Sequence, residues 1–474
     1  METNGKIHAI DISDEQGTYE KNEKIDALDV FGRERKSTES NSQATKKRRR
    51  CAGIPSAGVA DDFGIVGVKF IFGESVSLLR RILWLVMLLS GMMMITYQIW
   101  DRASYFASFP YNVDVELNYV EELTFPSVAF CNFNMFRRST TDPENLTDLM
   151  TQMFGGFSQS VDFHLHDLDA TASEDFYIRH AHNKSMLYWA FWKGVTMTKD
   201  VFKTILTDFG VCYAFNTGED GHQLRKVYGT GKSFGLQMIL LTQISEYNIG
   251  QESGAGFQLM LYSQGDVPLV ADLGFALSPG EHVKIGIEIT NITNLPPPHG
   301  ICQDKPLLYH SKYTRNSCRI ECMTEFVVQI CGCRLFYMPG NATVCNIEQW
   351  YYCGRPTLLE FSNHTSQCDC PVPCSRVIYK PNLSHAQVIY PTLAEYWANK
   401  TGTDVDTLLN EASVVDIFFQ ELTVHEVTQR RAYDFFSLLC DIGGALGLWL
   451  GGSVLTVIEI LDICLRGCCK RKWF

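Results

Sequence analysis

The sequence predicts a membrane protein in which two transmembrane helices bracket a large, disulfide-rich α+β ectodomain. Three observations carry that expectation. Two runs are apolar enough to cross a bilayer, which takes about 20 residues; they are "ILWLVMLLSGMMMITYQIW" at 82–100 and a stretch over 437–465. All seven Asn-x-Ser/Thr sequons, at Asn145, Asn183, Asn291, Asn341, Asn363, Asn382 and Asn399, lie between the two runs. So do twelve of the 17 cysteines, an even number suited to disulfides in an oxidising compartment.

The elements follow in chain order. Residues 1–62 are polar and aperiodic, the composition of a disordered cytoplasmic N-terminus. Their "KKRRR" run reads as a solvated tail segment, or alternatively as a patch for anionic lipid or targeting. Nucleic acid is excluded as a partner by a net charge of -12 over 474 residues. Residues 63–81 lead into the first span, which lies behind too long a polar leader to be a cleaved signal peptide. Arg80 and Arg81 abut that span, and Arg466, Lys470, Arg471 and Lys472 follow the second. The positive-inside rule therefore puts both termini in the cytoplasm, 466–474 included, and 101–436 outside.

Within 101–436, "SFGLQMILLT" and "HVKIGIEIT" have strand character, and 316–333 has helical character. Ten cysteines fall between Cys302 and Cys374. Cys318 and Cys322 are four apart and share a helix face, while "CDCPVPC" is an extended, proline-marked strip. A helix face opposite such a strip suits stacked disulfides. Zinc is the alternative, disfavoured by the glycosylated setting. No H-E-x-x-H or phosphate-cradling glycine loop points to an enzyme. His164, His166, His180 and His182 read as surface residues rather than metal ligands.

The second run is unusual for a span. Gly443, Gly447 and Gly451 form a small-xxx-small ladder, which by itself favours helix packing. Asp441 and Glu459 are 18 residues apart, so an unbroken helix sets them on one face and roughly 27 Å apart, near the hydrocarbon thickness. Asp462 follows three after Glu459. An intramembrane carboxylate costs about 2.5–3.5 kcal/mol even on lenient scales, so it faces water or a partner. Rings of carboxylates concentrate cations. Glycines and carboxylates together read as a cation pore, with Na+ as the permeant ion and no cofactor.

Taken with "TFPSVAFCNFN", "GVCYAFNTG", "LPPPHGIC", the cysteine cluster and "DIGGALGLWLGGSVLTVIEI", this plan resembles the degenerin, epithelial sodium channel and acid-sensing ion channel family, closest to its acid-sensing or peptide-gated branch. The resemblance implies a homo- or hetero-trimeric, amiloride-sensitive sodium channel of the plasma membrane, set in membrane lipid. Its ectodomain would have palm, finger, thumb, knuckle and β-ball parts, the thumb at about 303–374. It implies a selectivity filter at Gly451, Gly452 and Ser453, and pore mouths at Asp441 (outer) and Glu459 and Asp462 (inner). Ser437 corresponds to a gate position that must stay small, and Gly64 to an inner-pore position, with Phe63 where the family has histidine. The implied disulfides are Cys131–Cys212, Cys302–Cys374, Cys318–Cys370, Cys322–Cys368, Cys331–Cys353 and Cys333–Cys345.

Departures from the acid-sensing pattern imply a weak proton sensor, and analogy with peptide-gated members implies gating by an extracellular ligand, a neuropeptide or other small molecule. Arg355, Leu359 and Gln237 stand at acidic-pocket positions, and of the pair in "SEY" only Glu246 remains, after Ser245. Pro110 and Tyr111 replace a histidine pair, Val211 a lysine and His299 a tryptophan. Glu246, without like-charge neighbours, is expected to titrate near 4.3. Proton gating is the alternative, with His299 as its candidate. More remote rivals are a two-span adhesion or scavenger receptor, which leaves the carboxylates unexplained, and an ATP-gated channel, which lacks a visible lysine-rich phosphate site.

Overall fold

A computed structural model describes residues 70–71, 77–154, 161, 163, 171–218, 223–250, 252–364, 368–453, 455–456 and 458. The tails, Phe63, Gly64, His164, His166, Glu459 and Asp462 lie outside the described residues.

Helix α1 (Leu78–Ala107) has 30 residues, longer at both ends than the hydropathic run. At 1.5 Å per residue it measures about 45 Å and outreaches a hydrocarbon core of about 30 Å. It stops at Phe109, whose φ of 50° leaves the helical region just before Pro110. Among the described residues it is the one helix long and apolar enough to cross a membrane.

The segment after it is mostly β. Its strands are β1 (Tyr111–Tyr119), β2 (Leu123–Thr124), β3 (Ser127–Asn132), β4 (Leu187–Trp192), β5 (Val195–Thr196), β6 (Lys203–Thr207) and β7 (Gly210–Phe215). They continue with β8 (Lys226–Val227), β9 (Leu236–Leu241), β10 (Phe257–Tyr262), β11 (Phe275–Leu277), β12 (Glu281–Thr293), β13 (Ser375–Gln387) and β14 (Ala412–Arg431). One sheet runs β13-β12-β14-β9-β4-β5, with β1 also on β14; a second runs β11-β10-β3-β7-β6. Both contribute to a single core in which Phe125, Phe130, Phe202, Phe215, Phe257 and Phe419 are fully buried. Phe125 joins them, its ring 6.2 Å from Phe215 and 6.0 Å from Phe419.

β14 spans the domain. Its first half pairs with β9 and its second half with β1, where Tyr111 lies opposite Arg431 and Tyr119 opposite Thr423. The strands thus leave the sheet side by side, one from α1 and one toward the last helix. The Ala432 amide closes the pair on the Pro110 carbonyl at 3.0 Å.

Helices cluster in the cysteine-rich part. Here α2 (Arg315–Cys331) opens on a reciprocal cap in which Thr314 Oγ1 accepts the Ser317 amide and Ser317 Oγ accepts the Thr314 amide. It closes on Gly332 at φ 71°, and α3 (Arg355–His364) follows. Cys318–Cys370 and Cys322–Cys368 fasten one face of α2 to the extended strip, and Cys302–Cys374 continues the stack. Cys331–Cys353 ties α2 toward α3, and Cys333–Cys345 and Cys131–Cys212 complete six bridges. Buried Glu321 on α2 anchors the preceding loop, accepting the amides of Leu308, Tyr309 and His310 and a bond from His310 Nδ1 at 2.8 Å. Burial pushes its carboxyl up, but those donors outweigh it and hold the carboxyl below the usual range.

One surface expectation fails. His180 and His182 are 1% and 2% exposed, because the His180 ring packs 4.6 Å from Phe176 and the Tyr213 hydroxyl holds the His182 carbonyl. Of the sequon asparagines, six are exposed; Asn291 is half-buried inside β12, between Val377 of β13 and Glu426 of β14.

Candidate pore helix and extracellular sensor

After β14 the chain enters α5 (Phe435–Leu450); α4 (Pro391–Thr401) lies before β14. Asp434 caps α5, its Oδ1 accepting the Ser437 amide at 2.7 Å. Ser437 is therefore fixed in the first turn, half-buried. One turn on, Asp441 Oδ2 accepts the Tyr433 hydroxyl at 2.6 Å, and the Tyr433 ring meets Tyr105 of α1 at 5.4 Å.

The two helices pack through small residues. A Cβ on Gly91 would lie 3.3 Å from the Trp449 carbonyl oxygen, Ala445 is buried, and Trp449 Nε1 donates to Gln98 Oε1 at 3.0 Å. The glycine ladder is not that seam. A Cβ on Gly443 or Gly444 would meet nothing within 4 Å, and one on Gly447 only the Gly452 carbonyl oxygen.

At 16 residues α5 is too short to span, because it stops at Gly451. Gly451 takes φ 63°, left-handed backbone that glycine adopts without Cβ strain, and its amide closes on the Gly447 carbonyl at 3.0 Å. Ser453 then starts a new turn: its amide donates to Thr456 Oγ1 at 3.1 Å and its Oγ accepts the Thr456 amide. A helix stop and a helix start stand back to back, so the regular ladder ends at the Gly451 amide. The one-face spacing of Asp441 and Glu459 holds only for an unbroken helix, and Glu459 lies outside the described residues.

The sensor positions are dispersed. Leu359 on α3 is 69% exposed, and Arg355 is exposed at its start. Gln237 on β9 donates to Asp416, a buried carboxylate that also takes His282 Nε2 at 2.8 Å and Lys232 Nζ at 3.3 Å. Val211 is buried in β7. Glu246 is not an ordinary carboxylate: the amide and hydroxyl of Ser139 hold its pKa below the usual range. His299 sits edge-on to Phe109 at 5.3 Å, where α1 gives way to β1.

One acidic residue escaped the sequence reading. Asp208, in the β6–β7 turn, shares a cavity of about 260 Å³ with Asp272, and with Arg319, Ile320 and Met323 of α2. Burial pushes its carboxyl up to about 6 and nearby Asp272 adds to the rise, while the amides of Ala271 and Val270 oppose it. Arg319 is engaged with Asp272 at 3.2 Å. The folded state therefore holds a proton that the unfolded chain has already lost between about pH 4 and pH 6. The resulting penalty is full at neutral pH and is relieved as pH falls through about 6; two pKa units correspond to roughly 3 kcal/mol. Asp208→Asn keeps an oxygen for the Ala271 amide. It is expected to raise the midpoint of thermal unfolding at pH 7 and to flatten its dependence between pH 7 and pH 5. An unchanged pH profile would remove Asp208 as a titrating group.

A long apolar helix thus packs on a second that breaks at adjacent glycines, and both join one disulfide-stapled β domain. The family profile described as "Amiloride-sensitive sodium channel" matches residues 60–463. Acid-sensing ion channel 1C of Danio rerio is 32% identical over 432 residues, covering 85% of this chain and 82% of its own. Acid-sensing ion channel 2 of Homo sapiens is 32% identical over 426 residues, covering 84% and 83%. Acid-sensing ion channel 1 of Gallus gallus is 30% identical over 444 residues, covering 86% and 84%. The chain belongs to the degenerin, epithelial sodium channel and acid-sensing ion channel family. It is thus an amiloride-sensitive sodium channel protein and not an enzyme.

Proposed function

We propose that the chain is one subunit of a homo- or hetero-trimeric plasma-membrane channel that passes Na+ when an extracellular ligand binds, with both termini cytoplasmic. The stop-and-start at Gly451, Gly452 and Ser453 carries the pore assignment. Irregular backbone at membrane depth is tolerated only where it lines water or is buried in protein, and three copies would ring their carbonyls around an ion. Asp441 would serve the outer mouth, with Glu459 and Asp462 at the inner mouth and Gly64 near the inner pore. The six exposed sequon asparagines and the six disulfides suit an extracellular 101–436.

A neuropeptide or other small molecule is favoured over protons as the agonist. Arg355 and Leu359 cannot share a proton, Gln237 is committed to Asp416, and Glu246 is held ionised well below physiological acidification. Expression of this chain alone, screened with acid, peptides and small molecules for an amiloride-blocked current, tests the reading. A large, fast current on stepping from about pH 7.4 to about pH 6 would overturn it. Asp208 supports the second reading, gating by protons, because it titrates inside that step at a junction with α2. Loss of an acid-evoked current in Asp208→Asn, with His299→Ala unchanged, would select that reading.

Ser437 offers a separate check on the gate. The bond from its backbone amide to Asp434 sets it in the first turn of α5, where the strand pair gives way to the helix. Ser437→Trp is expected to give a standing, amiloride-blocked current at rest. Normal surface protein with no such current removes Ser437 from the gate.

A further inference from the structure

The β9–β14 part of the large sheet has a face turned away from the aromatic core, and α4 lies over it. Between them is a cavity of about 270 Å³ with no charged side chain in its wall. The sheet supplies Ile239 and Val414, paired across β9 and β14, and the helix supplies Leu393 and Trp397, four apart on one face. The remaining wall comes from an irregularity. The β4–β9 register shifts between Leu187 and Trp189, so Tyr188 is an extra residue. Bulges of this kind re-aim side chains and recur beside binding sites. Here Tyr188 and Trp189 both reach the cavity, with rings 4.7 Å apart, and Trp189 is 41% exposed. Hydroxyls on Tyr188 and Thr403 are the polar groups of the wall.

We propose that this cavity is a binding site for an uncharged aromatic group of one or two rings. Size and chemistry choose that occupant. A dry apolar cavity of about 150 Å³ takes benzene, so about 270 Å³ has room for a fused two-ring system. A wall without a charged side chain would leave a buried charge unpaired. Two indoles and a phenol offer faces and edges for ring stacking. The same ring can come from a small molecule or from an aromatic side chain of a peptide. The inference rests on the extracellular-ligand reading for its link to gating, which α4 and β14 would convey, since β14 leads to α5.

Ligand-observed saturation-transfer NMR on the full-length chain in detergent tests it, with 1-naphthol and N-acetyl-tryptophanamide as probes. Transfer to at least one probe is expected, falling at least five-fold in Val414→Phe, which fills the cavity from the sheet side. Leu393→Trp fills it from the helix side and is expected to do the same, which guards against misfolding of either variant. Transfer to naphthol alone assigns a small molecule as source; transfer to both admits a peptide side chain. Equal transfer in the parent and both variants means micelle partitioning only and overturns the site. No transfer in the parent, as when another copy's side chain already fills the cavity, overturns it as well. Binding is read here without current. Failure of the ligand-gated reading, seen as no ligand-evoked current, is therefore distinguishable from failure of the site.

Discussion

Gly451→Val is expected to leave protein at the cell surface while lowering its preference for sodium over potassium at least about ten-fold, or about 1.4 kcal/mol. Gly451 holds φ 63°, where a residue with a Cβ loses roughly 1–2 kcal/mol and a β-branched one more. Valine would escape by continuing the helix. That change would draw 451–453 into the ladder, break the reciprocal bonds between Ser453 and Thr456, and withdraw the carbonyls proposed to meet the ion. Bulk alone would also disturb a narrow pore, so a second variant separates the causes. Asparagine is close to valine in size but tolerates left-handed backbone. Gly451→Asn should therefore keep most of the selectivity that Gly451→Val loses. Reversal potentials under bi-ionic sodium and potassium decide it. Equal selectivity in the parent and in Gly451→Val would show that the break is not the filter.

How much of this was legible in the sequence varies by element. Cys318 and Cys322 at helical spacing opposite "CDCPVPC" carried the stapled helix, since four-residue spacing and a proline-marked strip are local facts. The strand character of "SFGLQMILLT" and "HVKIGIEIT" was also local, and both segments are strands, β9 and β12. The length of α1 was not, because hydropathy ends at Asp101 whereas helical backbone continues through Asp101 and Arg102 to Ala107. Periodicity presumes a continuous helix, so it carries from Asp441 only as far as the left-handed Gly451. Asp208 was invisible in principle: its raised pKa comes from burial beside residues about 60 positions away, such as Ala271 and Asp272. The aromatic cavity depends on a one-residue register shift in β4, which no pattern of residue types announces. The surface expectation for His180 and His182 fell to packing by Phe176 and Tyr213, again long-range.

Gly235→Ala is expected to abolish surface expression, the most severe effect of any single methyl addition considered. Gly235 immediately precedes β9, and a Cβ built on it would lie 2.0 Å from the Ile417 carbonyl oxygen of β14. Its φ of -112° is ordinary for alanine, so the penalty is steric and not conformational. Relief requires β9 to move off β14, yet β9 carries Leu236, Met238 and Leu240 into the core at 1%, 0% and 0% exposure. The Gly235 carbonyl also accepts the Lys193 amide at 3.0 Å, so a shift would unfasten the β4–β5 hairpin. Overpacking of this kind belongs to the rare class that costs more than about 4 kcal/mol, a large share of the 5–15 kcal/mol that typically separates folded from unfolded chains. Gly194→Ala is the counter-case, since Gly194 has φ 76° with nothing within 4 Å of an added Cβ. It should cost only about 1 kcal/mol of backbone strain and reach the surface. Surface biotinylation of both variants reads the contrast. Gly235→Ala at parental surface levels would mean that β9 and β14 are not clamped at this crossing, and the packing described for the large sheet would be wrong there.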